Sequence, residues 1–98
     1  MKIIMLTGKY GLCTMVSDED FEKLNKYKWF AKKSQACNYV ARSRRVGDKI
    51  ITERMHRVVA MTPKGMDCDH IDCDPFNNQR ENLRNVTRFQ HNQRKRKH

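Results

Sequence analysis

The stretch MDCDHIDCDPFNNQRENLRNVTRFQHNQR, residues 66–94, decides the fold of this chain. Its start has the pattern of a strand that runs into an acidic, histidine-bearing loop, and FNNQREN is expected to be polar and irregular. LRNV can form a second short strand, and Thr87 can cap a final helix that holds Phe89, His91 and Arg94. The predicted order is strand, loop, strand and helix.

Four side chains of this stretch form a candidate site: Asp69, His70, Asn82 and His91. An imidazole titrates near neutral pH and can take a proton from water, so His70 is the candidate general base. On a strand, Asp69 points to the opposite face, where its carboxylate and the imidazole of His91 can share a divalent ion. Asn82 is expected to brace the loop through its amide. A base, a cation and a rigid frame are what hydrolysis of a phosphodiester requires.

The charge of the chain indicates a polyanionic partner. The sequence has 21 Lys and Arg against 11 Asp and Glu, which gives a formal net charge of +10 and a pI near 9.8. Such a surface attracts phosphate backbones through long-range steering and counterion release, so nucleic acid is the expected partner. No basic amphipathic helix with an apolar face suited to a bilayer is visible, and a membrane partner is not expected.

The length of 98 residues leaves room for one compact domain and one active site. The amino-terminal MKIIMLTGKY reaches polar residues before a signal-peptide core can form, so the expected location is the cytoplasm. The cysteines show no CxxC pairing, and reduced thiols are expected in that compartment. They are Cys13, Cys37, Cys68 and Cys73.

The first part of the chain has the pattern of short strands around one helix. KIIML and LCTMV flank a turn at residues 8–11 and predict a hairpin. Ser17, followed by three acidic residues, predicts a capped helix over residues 18–26. The aromatic cluster that follows is expected to be core, and it consists of Tyr27, Trp29 and Phe30.

A second hairpin is predicted from NYVARSRRV and KIITERM, which flank Gly47 and Asp48. Alternation places Arg42 and Arg44 on one face, where they can contact phosphate or form a solvated strand face. HRVVAM is a short apolar stretch, either helical or extended. The terminal run RKRKH, residues 94–98, is expected to contact phosphate because it continues the helix of His91.

MHRVVAM together with residues 66–94 resembles the HNH endonucleases, the ββα-metal enzymes found in bacteriophages and mobile introns. In that family the first motif histidine is the general base, the preceding aspartate and the last His or Asn bind the metal, and the middle Asn holds the ββα fold. Carried over by position, these roles fall on His70, Asp69, His91 and Asn82. VSDEDFEKLNKYKW also resembles the amino-terminal portion of small phage HNH proteins.

The resemblance implies an α+β fold in which an amino-terminal part with a small antiparallel β-hairpin precedes the ββα-metal motif. Residues 1–54 would form the β-rich part with one short helix, and residues 55–98 the nuclease motif with its basic helix. The implied cofactor is a divalent ion, Mg²⁺ or Mn²⁺, with Zn²⁺ or Ni²⁺ as alternatives. The implied partner is DNA, cut by a monomer or a homodimer. DNA contacts are predicted for Arg42, Arg44, Arg84, Arg94, Lys95 and Arg96.

The alternative function is a DNA-binding module without catalysis, in which zinc stabilises the ββα unit. Cys68 and Cys73 would be its ligands, although they bracket the Asp-His pair and no CxxC or HxxxH completes a four-ligand site. A ribonuclease or a less selective nuclease would use the same site as the DNA endonuclease. Cys73 stands where a glycine-like turn residue is natural in such a loop.

Overall fold

A computed structural model of the chain describes residues 1–8, 12–33 and 38–90. Within these residues the fold is α+β, with small sheets and short helices, as the sequence predicts. The elements in chain order are β1 (Lys2–Met5), β2 (Cys13–Val16), α1 (Asp18–Leu24), β3 (Phe30–Lys33), β4 (Asn38–Val46), β5 (Lys49–Arg54), α2 (Met55–Ala60), β6 (Asp67–His70), β7 (Asn77–Asn78), a 3₁₀ turn (Arg80–Asn82) and β8 (Leu83–Val86).

The predicted first hairpin is present, because β1 and β2 pair antiparallel from Lys2 opposite Val16 to Met5 opposite Cys13. The second edge of β2 pairs with β7 in parallel, which places Val16 beside Asn78. The prediction that residues 76–82 are irregular is therefore wrong in part, since this segment contains β7 and the 3₁₀ turn. The first sheet thus joins the amino-terminal hairpin to the loop that follows His70.

The predicted second hairpin is also present, and β4 is the middle strand of the β3-β4-β5 sheet. Pairing with β3 ends at Ala41, whereas pairing between β4 and β5 continues to Val46 opposite Lys49. Residues 42–53 therefore form a two-stranded extension, which we call the ribbon. At 3.3–3.4 Å per residue the ribbon extends about 17 Å beyond the third strand.

The core lies where the two larger sheets meet α1 and α2. It contains buried aliphatic side chains of β1, β2 and β4 around Trp29, which is 1% exposed and donates its indole N–H to the Leu24 carbonyl at 2.9 Å. The prediction of a three-residue aromatic core is wrong for Tyr27, which is 46% exposed. The Arg42 guanidinium stacks over the Tyr27 ring at 3.7 Å, so Tyr27 covers the base of the ribbon.

Helix α1 ends at Leu24 and is shorter than the predicted residues 18–26. The capping role predicted for the Ser17 hydroxyl is wrong, because no side-chain bond caps this helix. The Ser17 Oγ instead accepts a hydrogen bond of 2.9 Å from the backbone N–H of Arg80. A longer-range contact has displaced the local cap.

The third sheet consists of β6 and β8, which pair antiparallel from Asp67 opposite Val86 to His70 opposite Leu83. Beyond β8, the Thr87 hydroxyl accepts from the N–H of Gln90, and the Gln90 side chain accepts from the N–H of Thr87. This reciprocal pair is a capping box, and residues 88–90 are helical. His91 lies outside the described residues, so the complete ββα arrangement stays a prediction. None of the described helices is long and apolar enough to cross a membrane.

Candidate nuclease site

The Asp69-His70 pair lies at the end of β6, and β8 is its pairing partner. Asp69 is opposite Arg84 and His70 is opposite Leu83. Successive residues of a strand point to opposite faces, so the carboxylate and the imidazole leave β6 on different sides. The Asp69 side chain is 14% exposed, and its Oδ2 lies 3.5 Å from a guanidinium nitrogen of Arg84.

Two buried polar residues that the sequence did not identify support His70. The His70 Nε2 lies 2.9 Å from the Oδ1 of Asn78, whose Nδ2 donates to the Thr14 Oγ1 at 2.8 Å. Both Asn78 and Thr14 are fully buried. One clue to their role is visible in the sequence, since a polar residue in an otherwise apolar strand such as LCTMV needs a buried partner.

His56 packs against His70, and the two ring centroids are 4.9 Å apart at a tilt of 56°. Its Nδ1 is buried and has no hydrogen-bond partner among the described residues. Burial, with a smaller effect from the charge of His70, lowers the pKa of His56 to about 3. His56 is therefore neutral near pH 7 and forms one wall of the site.

The loop after His70 is organised by Asp72 and Asn82. Asp72 accepts from the N–H of Asp74 and from the side chains of Asn77 and Asn82. These hydrogen bonds hold the pKa of the Asp72 carboxyl below its ordinary value, and the hydrogen bond from Asn77 has the largest effect. Asn82 is buried, and its Nδ2 also donates to the Asn77 carbonyl at 2.8 Å. Every polar group of the Asn82 amide is thus hydrogen-bonded within the loop.

The backbone of Cys73 has a φ of 65°, a left-handed conformation that favours glycine. Its N–H donates to the His70 carbonyl at 3.0 Å, which closes a turn directly after the imidazole. Cys68 is buried, its thiol lies 3.5 Å from the His56 carbonyl, and burial raises its pKa.

The 3₁₀ turn that presents Asn82 is anchored to helix α1. Arg80 makes two hydrogen bonds to the Asp20 carboxylate, at 2.9 and 2.7 Å, and lies 3.3 Å from Glu19. Asp20 is only 5% exposed, so the guanidinium neutralises a buried charge. The hydrogen bond with Asp20 raises the pKa of Arg80.

Of the two predicted metal ligands, Asp69 and His91, only Asp69 lies within the described residues. Among residues 1–8, 12–33 and 38–90, no group of three or more His, Cys, Asp or Glu side chains is placed to hold a metal ion. Asp69 supplies a largely buried carboxylate, the donor that hard divalent ions prefer. His91, the second predicted ligand, lies outside the described part of the chain. The Asp69 carboxylate is therefore a donor of the kind that a divalent ion binds.

Of the six residues predicted to contact DNA, three lie within the described part of the chain. Arg42 and Arg44 both contact the Oε1 of Glu53, at 3.3 and 2.7 Å, so this face of the ribbon is partly neutralised. Arg84 lies beside Asp69 at the site itself. The other three fall outside the described residues, and they are Arg94, Lys95 and Arg96.

The opposite face of the ribbon is also cationic, and it continues at the base of the ribbon into Arg54, the residue that follows the ribbon in β5. Pairing places Arg54 opposite Ala41 and Arg45 opposite Ile50, with Ser43 opposite Thr52 between them. Neither arginine forms an ion pair with an acidic side chain in the described ranges. Within the described ranges, ion pairs therefore neutralise part of the positive charge on the Arg42 face but none of the charge of Arg45 and Arg54.

Comparison with known proteins finds one family to which this part of the chain is similar. No curated protein and no solved structure matches the chain. The family model described as HNH endonuclease matches residues 53–93, which run from the end of the ribbon through the Asp69-His70 pair to the predicted His91. The match covers less than half of the chain and leaves the amino-terminal sheets outside it. Residues 53–93, which carry the Asp69-His70 pair, are thus similar to the HNH endonuclease family.

Proposed function

We propose that the protein is a metal-dependent endonuclease that hydrolyses phosphodiester bonds of duplex DNA. The observation that carries this proposal is the position of His70, held by a buried hydrogen-bonded side chain at a strand end with the Asp69 carboxylate beside it in sequence. The family match and the net charge of +10 give independent support for a nuclease acting on a polyanion.

In the proposed reaction His70 accepts the proton of the attacking water. Asp69, with His91 as its predicted companion, holds Mg²⁺ or Mn²⁺, which when bound neutralises charge developing on the phosphate and the leaving oxygen. Asn82 keeps the loop closed behind His70 and does not touch the reacting atoms. Arg84 is within reach of both the Asp69 carboxylate and a phosphate that approaches it.

The ribbon is proposed as the main DNA-contacting element of the described residues. A two-stranded β-ribbon fits the major groove of B-DNA, which is about 12 Å wide. Arg42 and Arg44 share Glu53, whereas Arg45 and Arg54 do not have an acidic partner in the described ranges. The Arg45 face is therefore expected to contribute more to phosphate binding, and Arg94, Lys95 and Arg96 are proposed to add contacts near the site.

The test is a plasmid-nicking assay with the purified chain in Mg²⁺, Mn²⁺ or EDTA. Metal-dependent conversion of supercoiled to open-circular DNA is expected, and His70→Ala should abolish it while DNA binding in EDTA is retained. Asn38→Ala, an exposed substitution on β4, is the control and should cleave normally. Equal cleavage by His70→Ala would show that the base assignment is wrong.

Two further outcomes distinguish the other functions. Retained DNA binding without cleavage in any metal would support the non-catalytic module. Faster cleavage of RNA or single-stranded DNA than of duplex DNA, compared side by side, would replace the proposed substrate. Each outcome contradicts a different part of the proposal.

A further inference from the structure

A chain of hydrogen bonds with a fixed direction runs from the backbone of the loop to His70. Its members are the Phe76 carbonyl, the Thr14 hydroxyl, the Asn78 amide and the His70 ring. Each carbonyl oxygen can only accept a hydrogen bond, whereas hydroxyl, amide and imidazole groups can be arranged in either direction. The backbone groups therefore decide the direction of the whole chain.

Thr14 is the first link. Its Oγ1 lies 2.8 Å from the Phe76 carbonyl and 3.9 Å from the Met55 sulfur, and both of these atoms are acceptors. The single hydroxyl proton of Thr14 is directed to one of them. The Oγ1 can therefore meet Asn78 only as an acceptor.

Asn78 is the second link, and its orientation is fixed twice. The amide nitrogen lies 2.8 Å from the Thr14 Oγ1 and 3.3 Å from the Pro75 carbonyl. Both neighbours require a donor, so the NH₂ group must face them and the Oδ1 must face His70. Asn78 is fully buried, so solvent water could not provide hydrogen-bond partners for the amide if its oxygen and nitrogen were exchanged.

We infer that Thr14 and Asn78 select the tautomer of His70, with the proton on Nε2 and the lone pair on Nδ1. The Nε2 lies 2.9 Å from the Asn78 Oδ1, which has no hydrogen to donate, so neutral His70 donates through Nε2. Provided that the proposed function holds, Nδ1 is the atom that takes the proton of the attacking water. Thr14 and Asn78 are then positioning residues.

This inference links the amino-terminal sheet to the chemistry. Thr14 lies on β2, outside the family-matched residues 53–93, and contacts Asn78 because β7 pairs with β2. A strand from the unmatched part of the chain therefore fixes which ring nitrogen is the base.

The direct test is the nitrogen NMR spectrum of the His70 ring, recorded on the intact metal-free chain at about pH 8, where an ordinary imidazole is neutral. A protonated Nε2 and an unprotonated Nδ1 are expected, with a slowly exchanging Nε2 proton. A proton on Nδ1 in the parent protein would overturn the inference without any variant. This measurement needs neither DNA nor cleavage.

Variants test the role of each link. Asn78→Asp keeps an acceptor and should retain the Nε2 proton signal, whereas Asn78→Leu should lose it and leave a mixture of tautomers. Thr14→Val should weaken the Nε2 proton signal, and Thr14→Ser should restore it. A full Nε2–H signal in both Asn78→Leu and Thr14→Val, each folded by circular dichroism, would show that the ring needs no such support.

The same variants separate this inference from the proposed function. General-base catalysis contributes about 10²–10⁴-fold, so loss of ring orientation in Asn78→Leu should slow nicking by roughly tenfold or more with unchanged DNA binding in EDTA. If the parent chain never cleaves DNA but shows the Nε2–H tautomer, the proposed function fails and the inference stands. If Asn78→Leu loses the signal but nicks at the parent rate, the positioning role fails.

Discussion

Asn82 and Asp72 are joined by two hydrogen bonds that run in opposite directions. The Asn82 Nδ2 donates to the Asp72 Oδ1 at 2.9 Å, and its Oδ1 accepts from the Asp72 N–H at 3.1 Å. The backbone N–H of Ile71 donates to the Asn82 carbonyl at 2.8 Å. The loop after His70 is thus closed by one buried amide, and the end of β6 cannot move without breaking these bonds.

Replacing Asn82 with alanine is therefore expected to lower both stability and activity. Loss of this buried, fully hydrogen-bonded amide should lower the free energy of unfolding by about 1–3 kcal/mol. Urea denaturation of Asn82→Ala measures this change, with Asn38→Ala as the exposed asparagine control. An unchanged unfolding midpoint in Asn82→Ala would show that the amide is not a brace.

His56 gives the folded protein a specific sensitivity to acid. Its pKa is about 3 when folded, against an ordinary value of 6.5, so between these values the unfolded chain binds more protons than the folded one. Stability is therefore complete above about pH 6.5 and declines as the pH falls toward 3. His56 alone should reduce the free energy of unfolding by about 2 kcal/mol between pH 8 and pH 5.

The measurement for His56 is a series of urea denaturations between pH 5 and pH 8 on the parent chain and on His56→Phe. Phenylalanine keeps a ring against His70 but cannot be protonated. The parent should lose more stability than the variant over this range. Parallel pH profiles would show that His56 does not account for the acid sensitivity.

The contact of Arg80 with helix α1 makes a further prediction. Arg80→Gln should lower the melting temperature because it leaves the buried Asp20 carboxylate without its cation. Arg45→Gln removes an exposed arginine of the ribbon and should leave the melting temperature unchanged. The double variant Asp20→Asn/Arg80→Gln removes the carboxylate charge as well and should melt at a higher temperature than Arg80→Gln alone. Equal melting temperatures of the two variants would indicate that Arg80→Gln leaves no buried charge unpaired.

The two faces of the ribbon should differ in DNA binding. Each phosphate contact contributes about 0.9 to the slope of log affinity against log salt. Arg45→Gln and Arg54→Gln should each reduce that slope by about this amount, whereas Arg42→Gln should change it less because Arg42 is paired with Glu53. Fluorescence anisotropy in EDTA at several salt concentrations measures the slopes. Equal slopes in all three variants would contradict a DNA-binding role for the Arg45 face.

Local sequence pattern was sufficient for much of this fold. Both hairpins follow from alternating apolar residues around glycine-containing turns, and Thr87 and Gln90 form the predicted kind of cap. The location of Asp69 and His70 at the end of a strand also followed from the local pattern, whereas the roles of Asp69, His70 and Asn82 stay predictions. These features depend on neighbours in the chain, which a sequence displays directly.

The features that the sequence could not predict depend on distant residues. Ser17 bonds to Arg80 instead of capping α1, and Tyr27 packs against the Arg42 guanidinium at the surface instead of joining the core. The partnership of Thr14 with Asn78 joins positions 64 apart in sequence. Such contacts exist only after the sheets have assembled, so no local propensity encodes them.

The parallel pairing of β2 with β7 has a consequence for how the protein folds. The two strands close a loop of about 60 residues, and the entropic cost of that closure must be met before their contacts form. The hairpins, whose contacts are local, can form earlier. We therefore expect the imidazole to be locked late in folding, after most of the secondary structure is in place. A fragment limited to residues 53–93 would lack the partner strand altogether.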